Sequence, residues 1–233
     1  MHIQGSVVFI TGANRGLGLS FAREALARGA RKVYAGMRNT EGFDIPGMVP
    51  VKLDVTDAAS VAAAAALCGD TTVLINNAGI AKLMDGALDD RMIELSRELL
   101  ETNYYGVVRV TQAFAPILLG NGGGAVINVL SDASWQPSQL LPAYAVTKAA
   151  AWSFSNSLRL QLKDQNVQVL NLHVGFLDTD LTKGFDMPKS DPNIVAGLTL
   201  DELIAGKQEV MGDKGTQALK NGLSLLAASY LVS

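Results

Sequence analysis

Short runs of apolar, largely β-branched residues recur along the chain, and longer segments rich in alanine and leucine separate them. Continuous apolar runs, rather than alternating ones, are typical of strands that helices cover on both faces. The runs stand at 7–10 (VVFI), 32–36 (KVYAG), 49–55 (VPVKLDV), 72–79 (TVLINNAG), 125–131 (AVINVLS) and 167–174 (VQVLNLHV), with a seventh short strand predicted at 208–212 after a helix at about 199–206. This alternation predicts an α/β fold with a doubly wound, mainly parallel sheet.

The size and charge of the chain point to one domain that binds small molecules. Its 233 residues are 48% hydrophobic and 18% charged, which suffices for a large core, and no repeat or linker divides them, so we expect a single domain over 1–233. The net charge is −3, and the Lys and Arg residues are scattered. That distribution favours neither nucleic acid nor an anionic membrane as a partner.

Three features predict a cytoplasmic location. The first residues, MHIQGSVVFITG, lack the layout of a signal peptide. The apolar stretch LSLLAASYLV near the C-terminus is about half of the ~20 residues that span a bilayer. Cys68 is the only cysteine, so an internal disulfide is excluded and a reducing compartment is expected. We predict no metal site.

A glycine-rich loop, TGANRGLG, joins the first predicted strand to the first predicted helix. Its glycines are Gly12, Gly16 and Gly18. Glycines in this position let the backbone turn sharply and approach a pyrophosphate, whose charge then rests on the helix N-terminus. The alternative is a tight turn built from small residues, but the placement between strand and helix favours dinucleotide binding.

The end of the second strand indicates which dinucleotide is bound. An acidic residue about 20 positions beyond the loop would accept hydrogen bonds from the ribose of NAD. The sequence instead reads YAGMRN, with Arg38 at this position and a further arginine, Arg15, inside the glycine loop. Because guanidinium groups bind phosphate through charge-assisted hydrogen bonds, we predict a preference for NADP(H). The alternative is a pair of solvated surface arginines.

The segment PAYAVTK places Tyr144 and Lys148 four residues apart in an alanine-rich helix predicted over 143–164. At this spacing the two side chains share one face, so the ammonium would favour the phenolate by Coulombic attraction, as would a positively charged nicotinamide ring. Pro142 suits a first helical turn, which would bring the phenol close to the positive end of the helix dipole.

Taken together, these motifs resemble the typical short-chain dehydrogenase/reductase family over nearly the whole chain. Besides TGANRGLG and YAVTK, the resemblance includes LDV at 53–55, NNAG at 76–79, Asn103 in TNYYG and Ser131 in INVLS. It implies a Rossmann fold whose seven strands have the order 3-2-1-4-5-6-7, and a homodimer or homotetramer. It also implies a catalytic tetrad of Asn103, Ser131, Tyr144 and Lys148. The cofactor-binding residues that we predict are Gly12, Asn14, Arg15, Gly16, Leu17, Gly18, Arg38, Asp54, Val55, Asn77, Ala78, Gly79, Tyr144, Lys148, Gly175 and Thr179.

The sequence departs from the family pattern after the sixth strand. The chain reads HVGFLDTD, with Val174 where many members have proline, while Gly175 and Thr179 still match. We therefore expect a less rigid loop there. We interpret the neighbouring His173 as a packed structural residue, because the family's chemistry needs no base at that position.

The predicted function is the reversible, NADPH-dependent reduction of aldehydes or ketones to alcohols. The cofactor supplies a hydride and the protein must supply a proton, which we assign to Tyr144. Ser131, at the carboxyl end of the fifth strand, would hold the carbonyl oxygen. Asn103 falls within a helix predicted from about 91 to 118, where a polar side chain could expose a carbonyl and fix a water beside Lys148.

The substrate pocket is predicted from residues after the fifth and sixth strands, including a loop over about 176–198. The candidates form a mostly apolar set, although they could also be core or interface residues: Trp135, Gln136, Leu140, Leu141, Phe176, Phe185 and Met187. Two other functions remain as alternatives. One is a regulator that senses NADP without turning it over, and the other is a sugar-nucleotide epimerase or dehydratase of the same superfamily.

Overall fold

Seven parallel strands form one sheet in the order β3-β2-β1-β4-β5-β6-β7, as the sequence predicted. The computed structural model describes residues 1–136, 138–225 and 227–231. The strands are β1 Val7–Thr11, β2 Lys32–Met37, β3 Met48–Lys52, β4 Val73–Asn76, β5 Gly124–Val129, β6 Val167–His173 and β7 Glu209–Met211. Because the order reverses between β1 and β4, a crevice opens at the carboxyl ends of these strands.

Helices cover both faces of the sheet and bury two hydrophobic layers. The helices are α1 Gly16–Ala27, α2 Ala58–Leu67, α3 Met92–Leu100, α4 Gly106–Gly120, α5 Pro142–Leu162, α6 Pro192–Ile204 and α7 Lys214–Gly222. One layer packs the sheet against α1 and α6 through residues such as Phe21 and Leu200. The other packs it against α2, α4 and α5 through residues such as Phe114 and Leu158. Coverage of both faces explains why the strands read as continuous apolar runs.

Two predicted elements differ from the observed ones. Helix α6 begins at Pro192 rather than at about 199, because Asp191 caps it by accepting the Asn193 N–H at 2.8 Å and proline suits the first helical position. The predicted loop over 176–198 therefore ends before Pro192. The helix predicted from 91 to 118 is broken by a π-helical turn, Glu101–Tyr105, between α3 and α4.

A chain of buried polar side chains ties the central strands to α5. Asn128 on β5 accepts from Asn76 Nδ2 on β4 at 2.8 Å and donates to Ser155 Oγ on α5 at 2.7 Å. Ser155 in turn donates to Asn171 Oδ1 on β6. Since each of these side chains is almost fully buried, each hydrogen bond replaces one that water would otherwise make.

We expect Asn128→Leu to lower the free energy of unfolding by about 2 kcal/mol, because a leucine leaves the Asn76 amide and the Ser155 hydroxyl each short of a buried partner. Urea denaturation measures the change. Asn221→Leu, at an exposed position of α7, is the control and should stay within about 0.5 kcal/mol of the unaltered protein. Equal midpoints for the two variants would contradict a stabilising role for the chain of polar contacts.

Candidate active site

A cleft of about 560 Å³ lies at the carboxyl ends of the strands, a volume typical of sites for small molecules and cofactors. Most residues predicted for the site line it. They are Gly12, Asn14, Arg15, Gly16, Leu17, Arg38, Asp54, Val55, Asn77, Ala78, Gly79, Ser131, Tyr144, Lys148, Gly175 and Thr179. Gly18 and Asn103 lie behind this wall and support it.

The glycine loop turns as a dinucleotide cradle requires. Gly12 and Gly16 adopt left-handed φ values of 67° and 53°, which side chains rarely tolerate. Gly18, also predicted to contact the cofactor, is closely packed: a Cβ there would lie 2.2 Å from the Gly12 carbonyl oxygen and 2.6 Å from Asn77 Nδ2. Its missing side chain therefore lets α1 pack against the loop, and the N-terminus of α1 borders the cleft.

Charged side chains mark the end of the cleft beside β2 and β3. Arg38 is exposed directly after β2, and Asp54 follows β3 with its Oδ1 accepting from Thr56 N at 2.9 Å and Thr56 Oγ1 at 2.7 Å. These hydrogen bonds, assisted by the charge of Arg38, lower the pKa of Asp54. Arg15 instead forms an ion pair of 3.2 Å with Asp180, which links the glycine loop to the segment after β6.

Tyr144 and Lys148 lie in the first two turns of α5, which starts at Pro142 as the sequence predicted. Lys148 Nζ lies 5.6 Å from the centroid of the Tyr144 ring and donates to the Val129 carbonyl at 2.9 Å. Burial lowers the pKa of Lys148 to about 8. It raises the pKa of Tyr144 to about 12, whereas the sequence led us to expect a lowered value, because the loss of solvation opposes the phenolate and Ser131 offsets it only in part.

Ser131 ends the segment that follows β5 and faces the Tyr144 phenol. Its Oγ donates to Asp132 Oδ1 at 2.9 Å and accepts from Ala133 N at 3.2 Å. Its carbonyl oxygen lies 3.3 Å from Nδ1 of His173. The serine is therefore held through both its main chain and its side chain.

Asn103 occupies the middle of the π-helical turn and is 1% exposed. Its Oδ1 accepts from Ile80 N at 2.9 Å, and its Nδ2 donates to Ile80 O at 2.8 Å and to Thr147 Oγ1 at 3.1 Å. A Cβ at Gly79 would lie 3.4 Å from Asn103 Oδ1 and 3.8 Å from Lys148 Nζ. The asparagine thus joins the loop after β4 to α5 just behind the lysine.

The predicted pocket residues divide into two groups. Four of them line the cleft, namely Gln136, Leu141, Phe176 and Phe185. The other three lie elsewhere: Leu140 and Met187 are exposed, and Trp135 stacks on His173 with ring centroids 4.0 Å apart. His173 is fully buried, in agreement with its interpretation as a packed residue.

Sequence reasoning missed Asp132, a charged residue of the cleft wall. Its signal was available, since it directly follows Ser131 at the carboxyl end of a strand, where ligands bind in open α/β sheets. Asp180, which also lines the cleft, was missed as well, and its pairing with Arg15 joins residues 165 positions apart. No local pattern in a sequence indicates a contact of that separation.

Within the described parts of the chain, no helix combines the length and the apolar character needed to cross a bilayer. The same residues contain no group of three or more His, Cys, Asp or Glu side chains arranged to hold a metal ion.

Comparisons with known proteins agree with the fold and the cleft. Dehydrogenase/reductase SDR family member 7B of Bos taurus is 32% identical over 200 residues, covering 78% of this chain and 61% of the bovine protein, so the chain spans about three fifths of that relative. Among solved structures, a short chain dehydrogenase from Burkholderia cenocepacia J2315 in complex with NADP is 36% identical, with a TM-score of 0.91 over 97% of this chain and 95% of that one. A short chain dehydrogenase/reductase from Burkholderia phymatum in complex with NAD shares the fold at 20% identity, with a TM-score of 0.83 over 95% and 94% of the two chains.

The family model for short chain dehydrogenases matches residues 6–189, which include the glycine loop, Ser131 and the YAVTK segment. With a parallel sheet of the expected strand order and a cleft at its carboxyl edge, the chain belongs to the short-chain dehydrogenase/reductase family of oxidoreductases.

Proposed function

We propose that the protein is an NADPH-dependent reductase that converts aldehydes or ketones to alcohols, reversibly. The observation that carries the proposal is the convergence of a phenol, a hydroxyl and an ammonium, from Tyr144, Ser131 and Lys148, on a cleft whose other half is a dinucleotide cradle. When bound in this cradle, the dinucleotide would supply the hydride. The remaining steps belong to side chains of this chain.

Tyr144 donates the proton to the carbonyl oxygen. Its raised pKa keeps the phenol protonated at neutral pH, which is the form a donor needs. Ser131 hydrogen-bonds the same oxygen and aligns it with the phenol. Lys148, as the ammonium, favours the phenolate left after the transfer, and Asn103 supports a water path from Lys148 to solvent. Together they form the proposed catalytic tetrad.

Arg38 supports the preference for NADPH over NADH. It is exposed at the end of β2 and lines the cleft, where its guanidinium can form charge-assisted bonds to the 2′-phosphate. The relative from Burkholderia cenocepacia, solved with NADP, fits this assignment. Since Arg15 already pairs with Asp180, we assign Arg38 the main role and Arg15 a secondary one.

We expect Arg38→Asp to reduce the ratio of kcat/KM for NADPH to kcat/KM for NADH by about 10- to 100-fold, because a charge-assisted hydrogen bond is replaced by repulsion from the phosphate. Steady-state kinetics with both cofactors measures the ratio. Arg23→Asp, at an exposed position of α1, makes the same change of charge outside the cleft and should leave the ratio unchanged. An unaltered ratio in Arg38→Asp would rule out the proposed phosphate contact.

The substrate half of the cleft favours a carbonyl compound of modest size with an apolar or aromatic group. Phe176 and Phe185, with ring centroids 5.1 Å apart, form one side, and Leu141 forms part of another. The proposal is tested by incubating the protein and NADPH with a panel of aliphatic and aromatic aldehydes and ketones. Turnover is measured as the loss of the absorbance of the reduced nicotinamide. Absence of turnover with every member would contradict it.

The filled tetrad favours an oxidoreductase over its two alternatives. A non-catalytic sensor of NADP has no need to bury Lys148 beside Tyr144, since burial of an ammonium that has only the Val129 carbonyl as a hydrogen-bond partner is costly. A sugar-nucleotide epimerase or dehydratase usually has a glycine spacing that differs from that of Gly12, Gly16 and Gly18. Turnover of simple carbonyls by the unmodified protein would separate the reductase from both alternatives.

We further propose a cytoplasmic, single-domain protein that assembles as a homodimer or homotetramer. Apolar side chains of α5 and of the neighbouring π-helical turn support the assembly: Val146, Leu160 and Tyr105 are 46%, 75% and 48% exposed. Packing of this face against a second copy would bury them. A monomer mass in sedimentation equilibrium would contradict the assembly.

A further inference from the structure

His173 reaches from the end of β6 to the main chain of the serine that lines the cleft. Its Nδ1 lies 3.3 Å from the Ser131 carbonyl oxygen. Main-chain hydrogen bonds flank this contact, since the amides of Leu130 and Asp132 donate to carbonyls near the end of β6 at 2.7 and 3.3 Å. The imidazole therefore adds a side-chain contact at Ser131, between the two main-chain bonds on either side of it.

The contact requires a proton on Nδ1, because the Ser131 carbonyl can only accept a hydrogen bond. The other ring nitrogen, Nε2, lies 3.6 Å from Glu209 Oε1 and has no hydrogen-bond partner among the described residues. Glu209 has closer donors, which are Trp152 Nε1 at 3.2 Å and Lys220 Nζ at 3.1 Å. Since that carboxylate is already bonded, the arrangement favours a proton on the ring nitrogen that faces Ser131.

Packing holds the imidazole in this orientation. His173 is fully buried, and Trp135 stacks on it with ring centroids 4.0 Å apart and planes inclined by 27°. Trp152 meets the same ring in a T-shaped arrangement at 6.3 Å. Trp135 directly precedes Gln136, which lines the cleft. His173 thus contacts the segment after β5 at two points, the Ser131 carbonyl and the Trp135 ring.

We propose that His173 is a positioning residue of the active site, whose Nδ1–H holds the main chain of Ser131 at the cleft wall. The inference rests on the proposed function, in which Ser131 binds the carbonyl oxygen of the substrate. The hydroxyl proton of a serine can turn to suit its partner, whereas the position of the hydroxyl oxygen depends on the main chain. A displacement of that oxygen by about 1 Å would lose much of the benefit of its placement.

Three replacements of His173 separate the donor from the volume of the ring. In His173→Asn the side-chain amide nitrogen takes the place of Nδ1, in His173→Gln it extends toward the place of Nε2, and in His173→Leu no donor remains. Because asparagine is the smaller amide, a residue needed only for packing would tolerate glutamine at least as well. A residue needed as a donor to Ser131 would tolerate only asparagine. His2→Gln, at an exposed position, is the control.

We expect amide hydrogen exchange at Asp132 and Ser134 to be about tenfold faster in His173→Gln and His173→Leu than in the unaltered protein, because the Ser131 segment loses one hydrogen bond. Ser134 reports on the same carbonyl, since its N–H donates to Ser131 O at 3.1 Å. His173→Asn should stay within about threefold of the unaltered protein, as should His2→Gln. In carbonyl reduction, kcat should follow the same order while KM for NADPH is unchanged.

NMR of the unaltered protein, labelled at the histidine ring nitrogens, locates the proton directly. The chain has two histidines, so His2→Gln assigns the remaining signal to His173. We expect a proton bonded to Nδ1 near neutral pH. A proton on Nε2 alone would overturn the proposal, as would equal amide exchange in His173→Asn and His173→Gln. Neither measurement needs turnover, and the first needs no His173 variant to fold, so both are separate from the proposed function, which fails if no carbonyl is reduced.

Discussion

Replacement of Tyr144 by phenylalanine is expected to lower kcat/KM for carbonyl reduction on the order of a thousandfold, because the variant keeps the ring but loses the hydroxyl that we propose as the proton donor. The ring borders the cleft and packs in a satellite cluster with Leu95, Leu99 and Ala143, so the phenylalanine should fit without rearrangement. The dissociation constant for NADPH, measured by nicotinamide fluorescence, should change less than about threefold, since the glycine loop and Arg38 are untouched.

A matched control removes a different phenol of the same chain. Tyr105, in the π-helical turn, is 48% exposed and does not line the cleft, so Tyr105→Phe should retain full activity. Each variant deletes one phenolic oxygen, so a difference in activity between them depends only on the position of that oxygen. Activity within a few-fold of normal in Tyr144→Phe would contradict the assignment of Tyr144 as the proton donor. A water molecule held by the protein would then be the candidate donor.

The fold was largely readable from the sequence because the buried strands are short and six of the seven end at, or directly before, a residue that lines the cleft. Ser131 and Arg38 could be placed at the carboxyl edge from strand ends alone, and the structure has both there. Helix α6 also carried a readable start, Asp191 followed by Pro192, which the composition of the surrounding polar segment obscured.

The π-helical turn was beyond sequence reasoning because its residues have the same polarity as those of a continuous helix. Its cause lies in tertiary contacts: Asn103 must reach both Ile80 and Thr147, and Gly106, just after the turn, must pass Val55, whose Cγ2 would lie 2.8 Å from a Cβ there. Such contacts join distant parts of the chain, and π-helical turns of this kind often occur at functional sites.

The direction of the Tyr144 pKa shift was wrong at the sequence level for a physical reason. The spacing of Tyr144 and Lys148 reveals that an ammonium lies close, but it does not reveal how much solvent the phenol has lost. Desolvation is the largest contribution, and it opposes the phenolate. The protein alone therefore keeps the phenol protonated, and the role that we propose for Lys148 is to favour the phenolate that a proton transfer would leave.

The second large effect is expected from Gly18→Ala, although Gly18 does not itself line the cleft. A Cβ there would lie 2.2 Å from Gly12 O and 2.6 Å from Asn77 Nδ2, and Asn77 Nδ2 itself donates to Gly12 O at 3.1 Å. One methyl group must therefore move α1 away from the loop or break that bond. We expect the free energy of unfolding to fall by about 1 to 3 kcal/mol and the affinity for NADPH to fall at least about tenfold.

Gly120→Ala is the control that separates this steric effect from the general effect of replacing a glycine. Gly120 ends α4, and a Cβ there meets no atom within 4 Å, so the alanine should leave NADPH affinity unchanged and raise the free energy of unfolding by up to about 1 kcal/mol. Thermal unfolding and fluorescence titration measure both quantities. A free energy of unfolding that falls in Gly18→Ala and rises in Gly120→Ala would locate the cause in the packing of α1 against the loop. An unchanged NADPH affinity in Gly18→Ala would mean that the cradle binds the dinucleotide without that packing.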